Sequence, residues 1–172
     1  GLAILVFISL WAIGSKYLIA WQKKQLFNPA ALGVALSALL IGQSATWWVG
    51  NLALAPLLIV GGVLIVRELE RFDLFFAFTA ASFATIALTS LADPFGAVWT
   101  TLAHSSFFFL GFVMLTEPST MPPTRMLRVV YGLIAGFLFA PAIHIFSYYF
   151  TPETALLAAN LFGFAVSPKG KH

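Results

Sequence analysis

The chain has 172 residues, of which 60% are hydrophobic and only 9% are charged, and its mean hydropathy is +0.96. A water-soluble domain does not present so little charge at its surface, so the composition predicts an integral membrane protein. The absence of cysteine excludes disulfides, iron–sulfur clusters and thiolate metal sites, so a redox role would require an organic cofactor or a haem.

Apolar runs follow one another along the chain, separated by short polar junctions. Taking ~20 residues per hydrocarbon core, we identify candidate segments at 2–20, 29–43, 46–66, 73–92, 97–115, 126–148 and 153–167. The second and the last are short: a helix of about 15 residues, rising ~1.5 Å per residue, does not cross a ~30 Å core. They are either half-helices that meet irregular backbone or short, tilted spans. The expected fold is an all-α, polytopic membrane bundle with broken or half helices, forming a single transmembrane domain over 1–172.

The positive charges fall at alternate junctions. All nine Lys and Arg lie at the first, third and fifth junctions or at the end of the chain: Lys16, Lys23, Lys24, Arg67, Arg71, Arg125, Arg128, Lys169 and Lys171. Because cytoplasmic loops are enriched in Lys and Arg, this pattern predicts seven crossings or part-crossings with the N-terminus outside and the C-terminus in the cytoplasm. The net charge of +3 therefore reflects orientation, and no nucleic-acid partner is expected.

The chain opens at Gly1, already within an apolar run that lacks the basic start and the small-residue cleavage site of a signal peptide. We therefore expect it to be part of a longer polypeptide.

Two polar interruptions, at 27–33 and 116–125, carry Pro, an amide or a carboxylate, and small residues where a membrane segment should begin or end. Irregular backbone at membrane depth is tolerated only when it is buried in protein or lines a cavity. Asn28 is expected to cap a helix that begins at Pro29, and the sequence at 151–153 repeats this arrangement. These interruptions are where we expect a ligand.

Few ionisable side chains lie within the spans, so each is a candidate functional residue. Glu117 and Arg125 bracket a turn and could form an ion pair that merely orders the loop. His104 and His144 lie among apolar residues; they fit hydrogen-bonded bundle histidines more simply than a pair of haem ligands. No catalytic triad, phosphate loop or paired-carboxylate arrangement is present, so soluble-type hydrolysis has no support.

A set of motifs in order along the chain resembles one family. The resemblance begins with Lys16 and 27–30, continues through 114–120, where the family usually has Thr-Asp-Pro, and reaches 131–136 and 156–160. The chain resembles the large membrane subunits of the Rnf ferredoxin:NAD complex and of the sodium-translocating NADH:quinone reductase, over the later two thirds of the family's length. The resemblance implies inverted repeats, a fold similar to that of urea channels, and electron transfer through flavins.

The sequence departs from this family at the covalent flavin site. The family has Asp, Gly, any residue, Ser or Thr, any residue, Ala and the Thr that carries FMN, whereas residues 40–46 read Leu-Ile-Gly-Gln-Ser-Ala-Thr. Ala45 and Thr46 remain, but the acid does not. The resemblance therefore implies a flavin, FMN or riboflavin, that is held without a covalent bond.

The cofactor-binding residues implied by the resemblance are Asn28, Pro29, Thr46, Trp47, Trp48, Thr116, Glu117 and Asn160. The two tryptophans fit either an aromatic belt at the membrane interface or a stack on a planar ring.

The expected function is a membrane electron-transfer module, part of an oxidoreductase in the bacterial inner membrane. It would pass electrons between a cytoplasmic NAD(P)H reductase domain or subunit, which could follow residue 172, and an acceptor in or across the membrane. The lipid bilayer is its expected surrounding, and a homodimer could complete the site. The alternatives are a small-solute channel that uses Asn28, Thr46, Thr116 and Asn160, and a scaffold that anchors a reductase.

Overall fold

The computed structural model describes residues 2–21, 24–44 and 49–167, and these residues are mostly helical. The helices are α1 Leu2–Leu18, α2 Pro29–Ile41, α3 Ala55–Glu68, α4 Phe72–Thr89, α5 Pro94–His104, α6 Phe107–Phe109, α7 Arg125–Phe139 and α8 Pro152–Ala165. A π-helical segment, Leu110–Met114, continues α6 directly. Two small antiparallel hairpins pair β1 Ala20–Trp21 with β2 Lys24–Gln25 and β3 His144–Ile145 with β4 Tyr148–Tyr149. The expectation of an all-α fold is confirmed.

The predicted helix starts are confirmed by the caps. The Asn28 side chain accepts a hydrogen bond from the Ala31 amide, with Pro29 as the first residue of α2. Thr151 and Thr154 form a reciprocal capping box at the start of α8. In both cases a side-chain oxygen satisfies an amide that has no partner within the helix, and proline lacks the amide that would need one.

Helices α4 and α7 pack in parallel. At their starts, Arg128 of α7 forms an ion pair with Asp73 of α4, with 3.1 Å between Nη2 and Oδ2. Two turns further along, Gly136 lies so close to α4 that a Cβ on it would be 2.3 Å from the Phe78 carbonyl oxygen. Contacts that advance together along both helices require the same direction, so both run away from the same end of the bundle.

A second pair of parallel segments is formed by residues 50–62, which run into α3, and residues 105–112, which include α6. Gly50 meets the main chain of Ser105, and Gly62 meets the ring of Phe112. The Phe112 ring stacks on Phe75 of α4 with 4.0 Å between centroids, which connects this pair to the first. Side chains from α4, α6, the π-helical segment, α7 and α8 fill the common core: Phe78, Phe107, Leu110, Leu115, Tyr131 and Leu156.

Three of the predicted segments were wrong in extent. The segment at 46–66 becomes a helix only at Ala55, after turns at 51–54. The segment at 97–115 is divided at Ser105 and Ser106, where the two parts bend by 71°. The segment at 126–148 ends as a helix at Phe139 because Pro141 disfavours helical backbone at the residue before it, and Ala140 is extended.

By length and apolar character, α4 is the one helix among the described residues that could cross a membrane, or one of two if the bent pair Pro94–His104 and Phe107–Met114 counts as a single span. Helices α1 and α2 are apolar but shorter. The seven crossings or part-crossings therefore stay a prediction.

The basic junctions meet at one end of the bundle. Lys24 of β2 donates to the Ser167 hydroxyl after α8, and its burial there lowers the Lys24 pKa. Lys16 at the end of α1 lies at the same end as Leu69, which follows α3. The geometry therefore brings the first, third and fifth junctions and the end of α8 to a common side.

Candidate functional site

The two polar interruptions of the sequence meet in a groove at this basic end. The groove has a volume of about 720 Å³ and lies between α1, the start of α2, the end of α3, the π-helical segment and the loop that follows it. Its walls are largely apolar, and its polar groups come from Lys16, Asn28, Thr116 and Glu117. The apolar lining includes Ile13, Val34, Ile65, Leu69, Phe109 and Val113.

Asn28 is the centre of the hydrogen bonding beside this groove. Its Oδ1 accepts from the Ala31 amide at 3.0 Å, and its carbonyl oxygen accepts from the Leu32 amide at 3.0 Å. Its main-chain amide donates to Asn160 Oδ1 at 2.7 Å, and its Nδ2 donates to Glu117 Oε2 at 2.5 Å. All four polar groups of Asn28 therefore have partners, and this one residue joins α2, α8 and the second interruption.

Asn160 lies behind Asn28, away from the groove surface. It is fully buried, and its Nδ2 donates to the Tyr131 hydroxyl at 2.7 Å. Because a main-chain amide can only donate, the Asn28 amide requires Oδ1 of Asn160 to face it, which leaves Nδ2 for Tyr131. Both ends of the Asn160 carboxamide are thus satisfied within the protein.

The Glu117 carboxylate is half-buried at the polar end of the groove. In addition to Asn28, it accepts from the Ser119 hydroxyl at 2.8 Å through Oε1. The ion pair with Arg125 considered from the sequence is not formed, and the carboxylate is held by the neutral donors Asn28 and Ser119. Among the described residues the ion pair is that of Arg128 with Asp73. Lys16 is exposed and makes no hydrogen bond or ion pair with a described residue.

Thr116 stands at the end of the π-helical segment. The Leu115 amide donates to the Leu110 carbonyl five residues earlier, and the Thr116 hydroxyl donates back to Phe112 O at 2.8 Å. Single π-helical turns inside α-helices are frequent at functional sites. Here the wider turn ends the α6 region directly at the loop that carries Glu117.

Of the eight residues predicted to bind a cofactor, the structure brings five together. Asn28, Pro29, Thr116 and Glu117 line the groove, and Asn160 supports it from behind. The other three predicted residues, Thr46, Trp47 and Trp48, lie outside the described residues.

Sequence reasoning missed Tyr131 as part of this network. Its phenol is fully buried, and a buried tyrosine hydroxyl usually finds a hydrogen-bond partner. A tyrosine in the middle of the apolar run of α7 was the available signal.

The two histidines lie elsewhere. His104 is exposed at the end of α5, and His144 is exposed in β3, where its ring lies 4.9 Å from that of Tyr149. Within the described ranges no group of three or more His, Asp or Glu side chains is arranged to hold a metal ion.

No protein-family model matches this sequence, and a search of curated proteins returns no match. The resemblance to the membrane subunits of the Rnf complex and the NADH:quinone reductase therefore stays a prediction based on the motifs. Because a fold class does not define a function, the function of this chain is inferred from the chemistry of the groove.

Proposed function

We propose that this chain is an integral membrane electron-transfer module, part of an oxidoreductase, which binds FMN or riboflavin non-covalently in the groove at its basic end. One observation carries the proposal: Asn28 and Glu117, 89 residues apart, come from the two interruptions and form one hydrogen-bonded wall of the groove. Two motifs singled out for a common site thus share a pocket.

The groove suits a planar ring system with one polar edge. Its volume of about 720 Å³ lies within the range of roughly 300–1,000 Å³ typical of small-molecule and cofactor sites. Apolar walls with a few convergent polar groups are also typical of such sites. An isoalloxazine has an apolar dimethylbenzene side and a pyrimidine edge with hydrogen-bond donors and acceptors, which matches apolar side chains such as Ile65 and Val113 and the polar pair of Asn28 and Glu117.

In this proposal the residues of the chain bind and orient while the cofactor supplies the electron chemistry. The second N–H of Asn28 Nδ2 and the remaining lone pairs of the Glu117 carboxylate offer a donor and an acceptor to the polar edge. Val113 and Phe109 exclude water from the ring faces. Lys16, which has no partner among the described residues, is available to a negative charge at the mouth of the groove.

The membrane setting has its own support. Large apolar side chains are exposed along α1 and α3, including Leu2 at 78%, Leu57 at 69% and Val60 at 62%. Large exposed apolar faces mark membrane or protein contacts, and lipid is the surrounding that fits this composition. With the basic end in the cytoplasm of a bacterial cell, a cytoplasmic reductase domain or subunit would approach the groove from that side.

The test is a visible absorption spectrum of the detergent-purified chain, recorded before and after dithionite and after acid precipitation. We expect flavin bands that bleach on reduction and leave with the supernatant. Bands that remain with the pellet would indicate covalent attachment, at Thr46 or elsewhere. A colourless, folded protein would contradict the proposal, and solute flux into liposomes would then separate a channel from a scaffold.

A further inference from the structure

A buried hydrogen-bonded chain leads from the groove into the core. It runs from Glu117 through Asn28 and Asn160 to Tyr131, with bonds of 2.5, 2.7 and 2.7 Å. Tyr131 and Asn160 are fully buried, and Asn28 is 6% exposed. The last member, Tyr131, does not line the groove, so it has no direct contact with a ligand there.

We propose that Tyr131 is a positioning residue of the groove: through Asn160 it holds the Asn28 main chain and thereby directs the Asn28 carboxamide toward Glu117. The role of Tyr131 as an anchor is independent of the ligand. Its effect on flavin binding rests on the function proposed above.

The anchoring follows from the two unlike ends of the Asn160 carboxamide. Oδ1 must face the Asn28 amide, and Nδ2 then needs an acceptor in a place that water does not reach, which the Tyr131 oxygen supplies. Without that oxygen, the buried Nδ2 loses the acceptor that it has in the structure, which is costly and leaves the side chain held at one end only. The Asn28 amide would then lose its acceptor as Asn160 turns.

Tyr131 and α8 are closely packed. A Cβ on Gly163 of α8 would lie 2.7 Å from the Thr120 carbonyl oxygen and 3.4 Å from Cδ2 of Tyr131. Glycine at this position lets α8 approach both α7 and the Glu117 loop. The phenol therefore packs close to α8 and to the loop that carries Glu117, within hydrogen-bond distance of Asn160.

A movement of the Asn28 main chain changes the groove because the Asn28 side chain is bonded to Ala31 on one side and to Glu117 on the other. Oδ1 is held by the Ala31 amide, which leaves Nδ2 for Glu117. If the Asn28 main chain rotates, the carboxamide can keep its cap only by turning away from the carboxylate. Glu117 would then lose a donor although neither it nor its loop has been changed.

The experiment compares the purified wild-type chain with Tyr131→Phe, which removes one oxygen atom and keeps the ring. The first measurement is the infrared carboxylate stretch of Glu117, assigned by its loss in Glu117→Gln. We expect Tyr131→Phe to shift this band. The second measurement is the Kd for riboflavin from a fluorescence titration, which we expect to rise about tenfold, as for the loss of one buried hydrogen bond.

Two further variants distinguish positioning from a general structural effect. Asn160→Leu should shift the same Glu117 band, and adding Tyr131→Phe to it should produce no further shift, because the link is already broken. The matched control is Tyr17→Phe: Tyr17 is 81% exposed on α1, so this variant should leave the band and the Kd unchanged.

The outcomes separate the two proposals. A wild-type chain that binds no riboflavin overturns the flavin function, while the infrared result still decides the role of Tyr131. A folded Tyr131→Phe variant with an unmoved Glu117 band overturns the positioning role. If Tyr131→Phe does not fold, a ring-fluorinated tyrosine at position 131 weakens the oxygen as an acceptor without changing its place; we expect a smaller shift of the same band, and no shift overturns the role.

Discussion

At the scale of single residues, Asn28 makes two contacts, one through the oxygen and one through the nitrogen of its carboxamide. Oδ1 caps α2, and Nδ2 reaches Glu117. Serine or aspartate would also cap a helix, but serine is too short to bridge to the loop and aspartate would bring a second negative charge against the carboxylate. The residue type is therefore explained by the contact across the groove rather than by the cap alone.

Asn28→Leu and Asn28→Ser separate these two contacts. The Leu variant loses both cap and bridge, so we expect it to retain no flavin and to lose about 2–4 kcal/mol of stability. The Ser variant keeps an N-cap oxygen and loses only the bridge, so it should be about 1 kcal/mol more stable than the Leu variant while its flavin content also falls. The measurements are the flavin-to-protein absorbance ratio and the apparent Tm in detergent.

Thr151→Leu is the matched control for this pair. It removes the cap of α8 at a position that does not line the groove, and should cost about 1 kcal/mol without loss of flavin. A folded Asn28→Leu variant with unchanged flavin content would remove Asn28 from the site.

The cap of Asn28 could be predicted from the sequence, but its bridge to Glu117 could not. A cap is a local pattern: one polar residue, a proline, and an amide three positions on. The bridge joins residues 89 positions apart, and no periodicity encodes which turn meets which. The polar interruptions in the sequence identified both motifs, and only the folded chain shows that they touch and that Tyr131 lies behind them.

At the scale of the elements, glycine determines how closely α4 and α7 approach. Small residues let helices approach closely, and Gly132 and Gly136 lie against the main chain of α4. The adjacent glycines of α3 differ from each other: Gly62 meets Phe112, whereas a Cβ on Gly61 would have nothing within 4 Å.

Gly136→Ala should therefore destabilise the bundle. Its Cβ would lie 2.3 Å from a carbonyl oxygen of α4, so the helices must separate, at a cost of about 1–3 kcal/mol for an overpacked core. Gly61→Ala is the matched control, because it adds the same methyl group to a helix in open space and should be neutral or stabilising by about 0.5–1 kcal/mol. Thermal unfolding in detergent measures both, and equal Tm values would contradict the packing.

The errors in segment length have separate physical causes. Hydropathy treats 97–115 as one run because Ser105 and Ser106 barely lower its average, whereas the backbone bends there by 71° and continues as α6. The end of α7 could have been predicted from Pro141, which disfavours helical backbone at the residue before it. Averages over apolar residues identify where helices are, but a break inside a run depends on how the two halves pack.

At the scale of the whole molecule, the arrangement of charge and the packing of the helices agree. Helices α4 and α7 are parallel and both begin beside the ion pair of Asp73 with Arg128, so they start at the same end of the bundle. The turn after α4, at 90–93, and the hairpin at 144–149 are free of Lys and Arg and lie at the far ends of these helices. From this arrangement the positive-inside pattern predicts that the groove lies on the cytoplasmic side and the hairpin outside.

Single cysteines test this orientation cleanly, because the chain has none of its own. Leu91→Cys and Ser147→Cys place exposed thiols at the end without Lys or Arg, and Glu68→Cys places one at the basic end. We expect a membrane-impermeant maleimide to label the first two in intact bacterial cells whose outer membrane has been opened. Glu68→Cys should react only after the inner membrane is permeabilised. Each variant is also labelled in detergent to show that its thiol is reactive.

The pattern of labelling distinguishes three arrangements, since lipid separates the two ends only if the bundle spans it. Labelling of Glu68→Cys alone in intact cells would reverse the orientation and move the groove, with any reductase, to the outer face. Failure of all three to label before permeabilisation would mean that both ends lie in the cytoplasm, and the bundle would then not span the membrane. The expected pattern, with Leu91→Cys and Ser147→Cys accessible and Glu68→Cys protected, directs the Asn28 and Glu117 wall toward a cytoplasmic electron donor.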